Sequence, residues 1–250
     1  MTDLLTSDGV APHLGGRFGA PYLYEPECTS TQLMLLGSTL PEGAVAATDH
    51  QTSGRGRMGR QWVAPPGTAL LTSVLLQPPS ERQLPELSLV AALAVAEAVE
   101  VATNLAAEVK WPNDVMVNRR KVAGILSELS EGVVVVGIGI NVNQSRDELP
   151  PGAHTPPASL RTLTGTTYAR AELLGSLLLR LERMYDAWRA KGLEALYDDL
   201  GARDFLRGRR VTADGETGTA IQIQRDGRLE VETDAGETRV IESGEVEFER

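Results

Sequence analysis

The sequence predicts an α+β fold, in which a mixed β-sheet carries its helices on one side and is followed by a small C-terminal β-barrel. Three observations predict this class. Short β-rich segments separated by turn signals fill much of residues 43–143. Two longer stretches, 84–103 and 169–190, have the composition or the periodicity of helices. Between residues 204 and 250, apolar and polar residues alternate in short runs broken by Gly-containing turns.

The first predicted elements follow from local composition. GAVAATD and TALLTSVLLQ predict two strands on either side of a glycine-rich segment. Residues 84–103, LPELSLVAALAVAEAVEVAT, are too many for one strand and rich in Ala and Leu, so they predict a buried helix. EVKW, DVMVN, KVAGILSEL and GVVVVGIGINVN then predict four further strands, with turns at 112–114 and 118–120.

The remaining segments are a loop, a helix and an N-terminal arm. Residues 144–157, QSRDELPPGAHTPP, predict a polar, proline-rich loop after an apolar strand, where ligand-binding loops often lie. Apolar side chains recur at helical spacing in 169–190, which predicts an amphipathic helix packed on the core. These side chains are Leu174, Leu177, Leu178, Leu181, Met184, Tyr185 and Trp188. Residues 1–21, rich in Gly and Pro, predict a flexible arm before a domain spanning 22–203.

The composition excludes several classes of protein. The 250 residues carry a formal net charge of −10, which disfavours a broad basic surface for duplex DNA but permits one local anion site. Cys28 is the only cysteine, which excludes an intramolecular disulfide and a cysteine-rich zinc site. The three histidines lack metal-ligand spacing, and we expect no metal site. The N-terminus lacks a signal-peptide pattern and no window is long enough to span a membrane, so we expect a cytoplasmic protein without membrane contact.

The segment SGRGRMGRQW, residues 53–62, concentrates three arginines and three interior glycines in this acidic chain. Glycines let a backbone approach a ligand closely and point several N–H groups at one spot. Arginines add planar donors that match carboxylates and phosphates. A solvated loop or an RGG-type RNA segment is the alternative, but RGG segments repeat and this motif occurs once, between two predicted strands. We therefore interpret it as an anion-binding loop.

A second group of polar residues lies in KWPNDVMVNRRKVAGILSEL, residues 110–129. Lys110 and Asp114 bracket a tight turn and, on their own, are most simply a surface ion pair of little energetic value. Lys121 precedes Gly124 in an apolar strand. A lysine that enters a buried strand is costly unless an anion or acceptor meets it, so we favour a functional role for Lys121.

Two shorter motifs carry weaker signals. In VVVVGIGINVN, residues 133–143, two glycines inside a strand indicate that another group packs closely on the backbone. Asn141 in the same motif offers an amide either to a ligand or to a structural hydrogen bond. In CTSTQ, residues 28–32, Ser30 and Thr31 precede an apolar run, which by itself is an ordinary helix N-cap.

The sequence contains no pattern of a nucleophile with its base and no paired-carboxylate signature. It offers positive charge and backbone donors instead. These groups suit a reaction between two anions, such as a carboxylate attacking an α-phosphate. For such a reaction the protein has to offset charge repulsion and align the reacting groups.

GRGRMGRQW, KWPND, KVAGIL and GIGINVN, in this order and at these intervals, resemble the motifs of the biotin–protein ligases (biotin–acetyl-CoA-carboxylase ligases). The resemblance runs from about residue 22 to the C-terminus. It implies a class II synthetase-like catalytic domain over 22–203 and an SH3-like domain over 204–250. It also implies two steps: biotin and MgATP give biotinyl-5′-AMP and pyrophosphate, and the biotinyl group then passes to a lysine of a biotin carboxyl carrier domain.

The resemblance also implies a role for each matching residue. The implied catalytic residues are Arg55, Arg57, Asp114 and Lys121. The residues implied for biotin binding are Ser30, Thr31, Gln32, Gln51, Gly54, Arg55, Gly56, Arg57, Lys121 and Gly124. The residues implied for nucleotide binding are Arg57, Trp62, Lys110, Asn113 and Asn141. Gln32 stands where many relatives carry asparagine, and Mg²⁺ is expected only together with ATP.

Several expectations follow from this resemblance. The segment before residue 22 is too short for the helix-turn-helix domain of repressor-type members, so we expect no DNA binding. We expect 53–61 and 144–157 to act as lids, because a mixed anhydride hydrolyses when water reaches it. The alternatives are a lipoate or octanoate ligase on a related fold, a non-catalytic biotin-responsive regulator and an RNA-binding protein. The sequence also leaves open whether the protein forms a homodimer through a sheet edge.

Overall fold

The computed structural model describes residues 4–130, 132–151, 155–213 and 215–249. Its α-helices are α1 (Ser7–Val10), α2 (Thr31–Leu35), α3 (Glu86–Thr103), α4 (Leu160–Thr164), α5 (Arg170–Lys191) and α6 (Tyr197–Ala202). Its strands are β1 (Tyr22–Cys28), β2 (Val45–Gln51), β3 (Gly54–Arg55), β4 (Gln61–Trp62), β5 (Ala69–Leu76), β6 (Ala107–Lys110), β7 (Asp114–Val117), β8 (Arg120–Ser130), β9 (Val133–Asn141), β10 (Arg210–Ala213), β11 (Glu216–Ile223), β12 (Leu229–Thr233), β13 (Thr238–Ile241) and β14 (Val246–Phe248).

The central sheet has seven strands in the order β1-β2-β5-β9-β8-β7-β6. Strands β1 and β2 are parallel, whereas the other neighbouring strands pair antiparallel, so the sheet is mixed as predicted. Six of its strands, β2 and β5 to β9, are those that sequence reasoning placed between residues 43 and 143, whereas β1 was not predicted. Alternation along β9 points Val134, Val136, Ile138 and Ile140 to one face and Gly137 to the other.

The two long helices pack on one face of this sheet. Helix α3 is buried along nearly its whole length and ends at Asn104, whose left-handed backbone (φ 57°) closes the last turn. Helix α5 presents its apolar residues, including Tyr185 and Trp188, to the same core. Both helices lie where the sequence predicted them. The short helix α2 contributes Leu35 to a separate cluster with Ala46 and Val135, on the opposite face.

The segment before β1 differs from the flexible arm that its composition predicted. Leu5, Val10 and Phe18 are fully buried in the main core. Arg17 forms ion pairs with Glu182 (3.2 Å) and Asp186 (2.5 Å) on α5. Isolated apolar residues among glycines and prolines give no periodic signal, and therefore composition alone missed this packing.

The C-terminal module is a five-stranded antiparallel sheet in the order β13-β12-β11-β10-β14. The segment that leads into it covers the edge of β6, because the Val109 N–H donates to Arg203 O (2.7 Å) and the Phe205 N–H donates to Val109 O (3.0 Å). Phe205 also packs edge-to-face on Phe248 of β14, with ring centroids 4.9 Å apart. Within the described ranges, no helix has both the length and the apolar character needed to cross a bilayer.

Candidate active site

A cleft of about 280 Å³ opens on the sheet face opposite the two long helices. Twelve of the fifteen residues that the sequence assigned to the site line it. They are Ser30, Thr31, Gln32, Gln51, Arg55, Gly56, Arg57, Trp62, Asn113, Lys121, Gly124 and Asn141. Gly54, Lys110 and Asp114 do not line the cleft: Gly54 pairs with Trp62 and Asp114 with Gly124, which do line it, whereas Lys110 pairs with Asp114.

A β-bulge in strand β8 brings Lys121 into the cleft. Asp114 pairs with Gly124 and Val115 with Ala123, but Met116 pairs with Lys121, so Val122 has no partner on β7. Val122 and Ala123 therefore both enter the core, while Lys121 and Gly124, three positions apart, both face the cleft. In a regular strand that odd spacing would point Lys121 and Gly124 to opposite faces of the sheet.

The two glycines of strand β9 form the floor of the cleft and divide it into two ends. A Cβ on Gly137 would lie 2.8 Å from the Gln32 side-chain amide carbon, so this glycine makes room for Gln32. A Cβ on Gly139 would lie 2.6 Å from Trp62 Cε2. Gly139 is also the cross-strand partner of Gly124, whose Cβ would lie 3.1 Å from the same indole. The indole of Trp62 thus lies on the pair formed by Gly124 and Gly139. The sequence predicted such close packing on the backbone at the glycines of β9.

Hydroxyl and amide groups line the Gln32 end. The Thr31 N–H donates to Gln51 Oε1 (2.8 Å), and the Thr31 hydroxyl lies 2.7 Å from the hydroxyl of buried Ser73. The Gln32 amide donates to Leu126 O (3.1 Å). Ser30 occupies the N-cap position of α2 but makes no side-chain capping bond there. This end therefore combines donors and acceptors on rigid elements and suits a polar heterocycle.

The Trp62 end is apolar on one side and polar on the other. Trp62 packs against a small cluster of Ala64, Ala69 and Leu71, separate from the main core. Among the described residues, its indole Nε1–H has no hydrogen-bond partner. Asn141 lies nearby, and its Oδ1 accepts a bond from the Gln144 amide (2.9 Å). A flat aromatic wall beside one fixed amide suits a nucleobase.

The glycine–arginine loop forms a hairpin over the cleft, in which Gly54 pairs with Trp62. A Cβ on Gly54 would lie 2.3 Å from Trp62 O, so that position requires glycine. Arg55 forms an ion pair with Glu128 of β8 (2.6 Å). Arg57 is half-buried and donates to Asn113 Oδ1 (3.3 Å), and burial lowers the pKa of its guanidinium.

Arg60 connects the same loop to the C-terminal module. Its guanidinium pairs with Glu245 at 2.6 Å, just before strand β14, and its Nε–H donates to Arg57 O at 3.3 Å. An exposed ion pair of this kind is worth little by itself. Its position matters because Arg60 lines the cleft and contacts the backbone of Arg57.

Asp114 pairs with Lys121, not with Lys110 as the simplest interpretation of the sequence supposed. Lys121 Nζ lies 2.6 Å from Asp114 Oδ1 and 6.0 Å from the centre of the Trp62 ring. Lys110 is only 5% exposed, and its ammonium lies 5.9 Å from the Phe248 ring. Burial lowers the pKa of Lys110, against the attraction of Asp114. The turn therefore places a buried charge network beside the cleft instead of a surface pair.

The proline-rich loop covers part of the cleft. Pro150, Thr155 and Pro157 line it, and residues 152–154 of the predicted lid 144–157 lie outside the described residues. The loop also holds the backbone of Lys121, whose N–H donates to Pro156 O (2.9 Å) and whose carbonyl accepts from the Ala158 N–H (2.9 Å).

Sequence reasoning missed several residues that shape the site. They are Arg60, Ser73, Leu126, Glu128, Gln144 and Glu245. Glu128 had a signal in principle, because it lies two positions from Leu126 and therefore on the same face of β8 as that cleft-lining residue. Glu245 had none, because its contact with Arg60 spans 185 positions of the chain.

Comparisons with known proteins agree with this geometry. A family model described as "Biotin/lipoate A/B protein ligase family" matches residues 25–145. The biotin–[acetyl-CoA-carboxylase] ligase of Paracoccus denitrificans is 36% identical over 241 residues, which cover 90% of this chain and 99% of that protein. The bifunctional ligase/repressor BirA of Bacillus subtilis is 34% identical over 245 residues, 92% of this chain and 74% of that protein.

Solved structures give the same result. The biotin protein ligase of Aquifex aeolicus, in complex with biotin and ATP, superposes with a TM-score of 0.83 at 34% identity, over 92% of this chain and 98% of that chain. The chain belongs to the biotin–protein ligases of the biotin/lipoate protein ligase family.

Proposed function

We propose that this protein is an ATP-dependent biotin–protein ligase, which forms biotinyl-5′-AMP and transfers biotin to a lysine of a biotin carboxyl carrier domain. One observation carries the proposal. Lys121 and the loop arginines Arg55 and Arg57 line a single cleft whose two ends differ, one with amides and hydroxyls and one with an aromatic wall. A carboxylate from one end and a phosphate from the other would meet beside Lys121. The names of the relatives, biotin–[acetyl-CoA-carboxylase] ligase among them, support the same reaction.

In the first step, a carboxylate oxygen of biotin attacks the α-phosphorus of ATP. A P–O bond forms, the bond to the β-phosphate oxygen breaks, and pyrophosphate leaves with the electron pair. Lys121 and Arg57 offset the repulsion between the two anions and hold them in line. Lys121 is balanced by Asp114 in the free protein (2.6 Å) and exchanges this partner for the substrate anions.

In the second step, the neutral amine of the target lysine attacks the acyl carbon of the adenylate. A C–N bond forms, the C–O bond to the phosphate breaks, and AMP leaves with the electron pair. The nitrogen then gives up one proton, for which Asp114 is the nearest carboxylate to Lys121. The loops at 53–61 and 144–157 keep water from the anhydride between the two steps.

For the substrates, we propose specific contacts. Ser30, Thr31 and Gln51 bind the ureido ring of biotin, with Gln32 in the place of the usual asparagine. Trp62 and Asn141 bind the adenosine. The remaining loop and turn residues assigned from the sequence support these contacts from behind: Gly54 and Gly56 through the hairpin, Gly124 by making room for Lys121, and Lys110 and Asn113 through the turn.

Mg²⁺ enters with ATP as part of the substrate. Among the described residues, no group of three or more His, Cys, Asp or Glu side chains could hold a metal. Mg²⁺ is typically bound by one or two carboxylates together with substrate phosphates, and Asp114 is the carboxylate in reach. We propose that the chain has a catalytic domain over 22–203 and an SH3-like domain over 204–250, does not bind DNA, and works in the reducing cytoplasm, which its single cysteine suits.

The test is pyrophosphate exchange into ATP with biotin, lipoate or octanoate as the acid. We expect exchange with biotin alone, because the amides of the cleft match a ureido ring and have no partner in a dithiolane or an alkyl chain. A second assay follows labelled biotin into a carrier domain, with ATP omitted as the control. Exchange driven by lipoate but not by biotin would identify the alternative ligase.

A further inference from the structure

A second cavity of about 310 Å³ lies beside the cleft, between the KWPND turn, the β8–β9 hairpin and the C-terminal module. We call it the lateral groove. Its lining includes Leu84, Ser88, Trp111, Ser127, Leu129 and Glu242. Its walls are well fixed: the Trp111 Nε1–H donates to Gly227 O (2.8 Å), and the hydroxyls of Ser88 and Ser127 lie 3.0 Å apart.

The lateral groove adjoins the cleft. Arg57 and Asn113 line both cavities, and the hydrogen bond between them (3.3 Å) lies where the two cavities meet. Asn113 is fixed, because its side-chain amide donates to Ile125 O (2.7 Å) and its backbone carbonyl accepts from the Ile125 N–H (2.9 Å). Arg57 is not held in this way, so it is the member of the pair that would move. If Arg57 turned to a phosphate in the cleft, this hydrogen bond would break and the groove would lead to the reacting atoms.

The chemistry of the groove suits a lysine side chain. Its walls are mostly apolar, which matches the methylene stem of a lysine. Leu129 on the hairpin is 61% exposed, an isolated apolar side chain at the rim. Glu242 lies at the opposite rim with its side chain 77% exposed, and its nearest cation is Arg228 at 3.5 Å. A carboxylate there attracts an incoming ammonium group.

We propose that the target lysine of the carrier domain reaches the adenylate through the lateral groove, and that the carrier docks on the rim formed by Leu129 and Glu242. This proposal rests on the ligase function proposed above. It assigns the C-terminal module a direct part in partner binding, since Glu242 belongs to that module. Adenylate formation does not need the groove, because both substrates of that step bind in the cleft.

Leu129→Lys tests the proposal, because it removes the apolar contact and repels a lysine. Val101→Lys is the matched control, since Val101 is also 61% exposed but lies on α3 away from both cavities. We expect biotin-dependent pyrophosphate exchange to stay within about twofold of the unchanged protein. We expect kcat/KM for the carrier domain to fall about tenfold or more, as for the loss of a strong interface contact. The control should change neither.

Ser88→Trp provides a second test by filling the groove from helix α3, and a thermal melt would check its folding. Normal exchange with reduced transfer in both variants supports the proposal. Normal exchange with normal transfer in Leu129→Lys would overturn it, since the lysine would then enter by another route. Loss of exchange and transfer together in Leu129→Lys would also overturn it. If the unchanged protein shows no biotin-dependent exchange, it is the proposed function that fails.

Discussion

The two glycines of strand β9 allow the two ends of the cleft to be perturbed one at a time. In Gly139→Ala, the added Cβ would lie 2.6 Å from Trp62 Cε2, about 1 Å inside ordinary carbon–carbon contact. The indole is a rigid ring packed on the glycine pair and against Ala64, Ala69 and Leu71, so it has to move. Overpacking of this kind costs about 1–3 kcal/mol. If that cost falls on nucleotide binding, KM for ATP rises by about 5- to 150-fold.

Gly137→Ala makes the matching change at the other end. Its Cβ would lie 2.8 Å from the Gln32 amide carbon. That group ends a flexible side chain, which can withdraw, so we expect a smaller rise, in KM for biotin. Gly15→Ala is the control, because no atom lies within 4 Å of its added Cβ.

The assay is pyrophosphate exchange with ATP and biotin varied separately. Gly139→Ala should raise KM for ATP with little change for biotin, and Gly137→Ala should do the reverse. A variant that raised both constants equally would contradict the division of the cleft into two ends. An unchanged KM for ATP in Gly139→Ala would show that the indole is not part of the nucleotide site.

Three further predictions concern single side chains. Arg57→Ala should fold normally but lose biotinyl-AMP to water, because half-buried Arg57 lines the cleft in which we propose that the intermediate forms; a single-turnover measurement of adenylate lifetime checks this. Lys121→Ala should slow pyrophosphate exchange by about 100-fold or more, the usual effect of removing a charge-stabilising donor. Glu86→Gln should raise Tm at pH 8, by about 2–4 °C for each kcal/mol gained in the free energy of unfolding. Burial raises the pKa of Glu86 in the folded protein. The protonated side chain therefore makes its full contribution to stability below the pKa that Glu86 has in the unfolded chain, and this contribution is lost as the pH rises through the pKa of the folded protein. Glutamine can still accept from the Trp188 indole, and the advantage should vanish below about pH 4.

Each of these has a contrary outcome. If the Arg57 variant retained biotinyl-AMP as long as the parent protein does, Arg57 would not be needed to protect the adenylate from water. Unchanged exchange after loss of Lys121 would remove its place between the two anions. A Tm difference for Glu86→Gln that grew as pH fell would reverse the assigned direction of the pKa shift.

Sequence reasoning was most successful where one local signal sufficed. Helix α3 (Glu86–Thr103) and helix α5 (Arg170–Lys191) lie within two residues of the predicted ranges, because composition or periodicity marks a buried helix. The family membership predicted from four motifs is confirmed by the comparisons. The glycines at 137 and 139 were also interpreted correctly as sites of close packing.

Sequence reasoning failed where the answer depended on tertiary contacts. A single extra residue in β8 leaves no mark in an apolar run, so the bulge at Val122 could not be predicted. The partner of Asp114 was misjudged for the same reason, because Lys121 reaches it only across that bulge. The contact between Arg60 and Glu245 joins distant parts of the chain and has no local signature. Burial of Phe18 in the N-terminal segment likewise depends on α5.

The unpaired Val122 has a consequence for any redesign of this enzyme. If β8 kept all of its residues but paired with β7 without the bulge, Lys121 and Gly124 would lie three positions apart in a regular strand, and Lys121 would face the hydrocarbon interior. Deleting Val122 would instead leave an even spacing and keep Lys121 on the cleft side of the sheet. The side of the sheet on which this ammonium group lies is therefore decided by the pairing register of the strand, to which its apolar composition gives no clue.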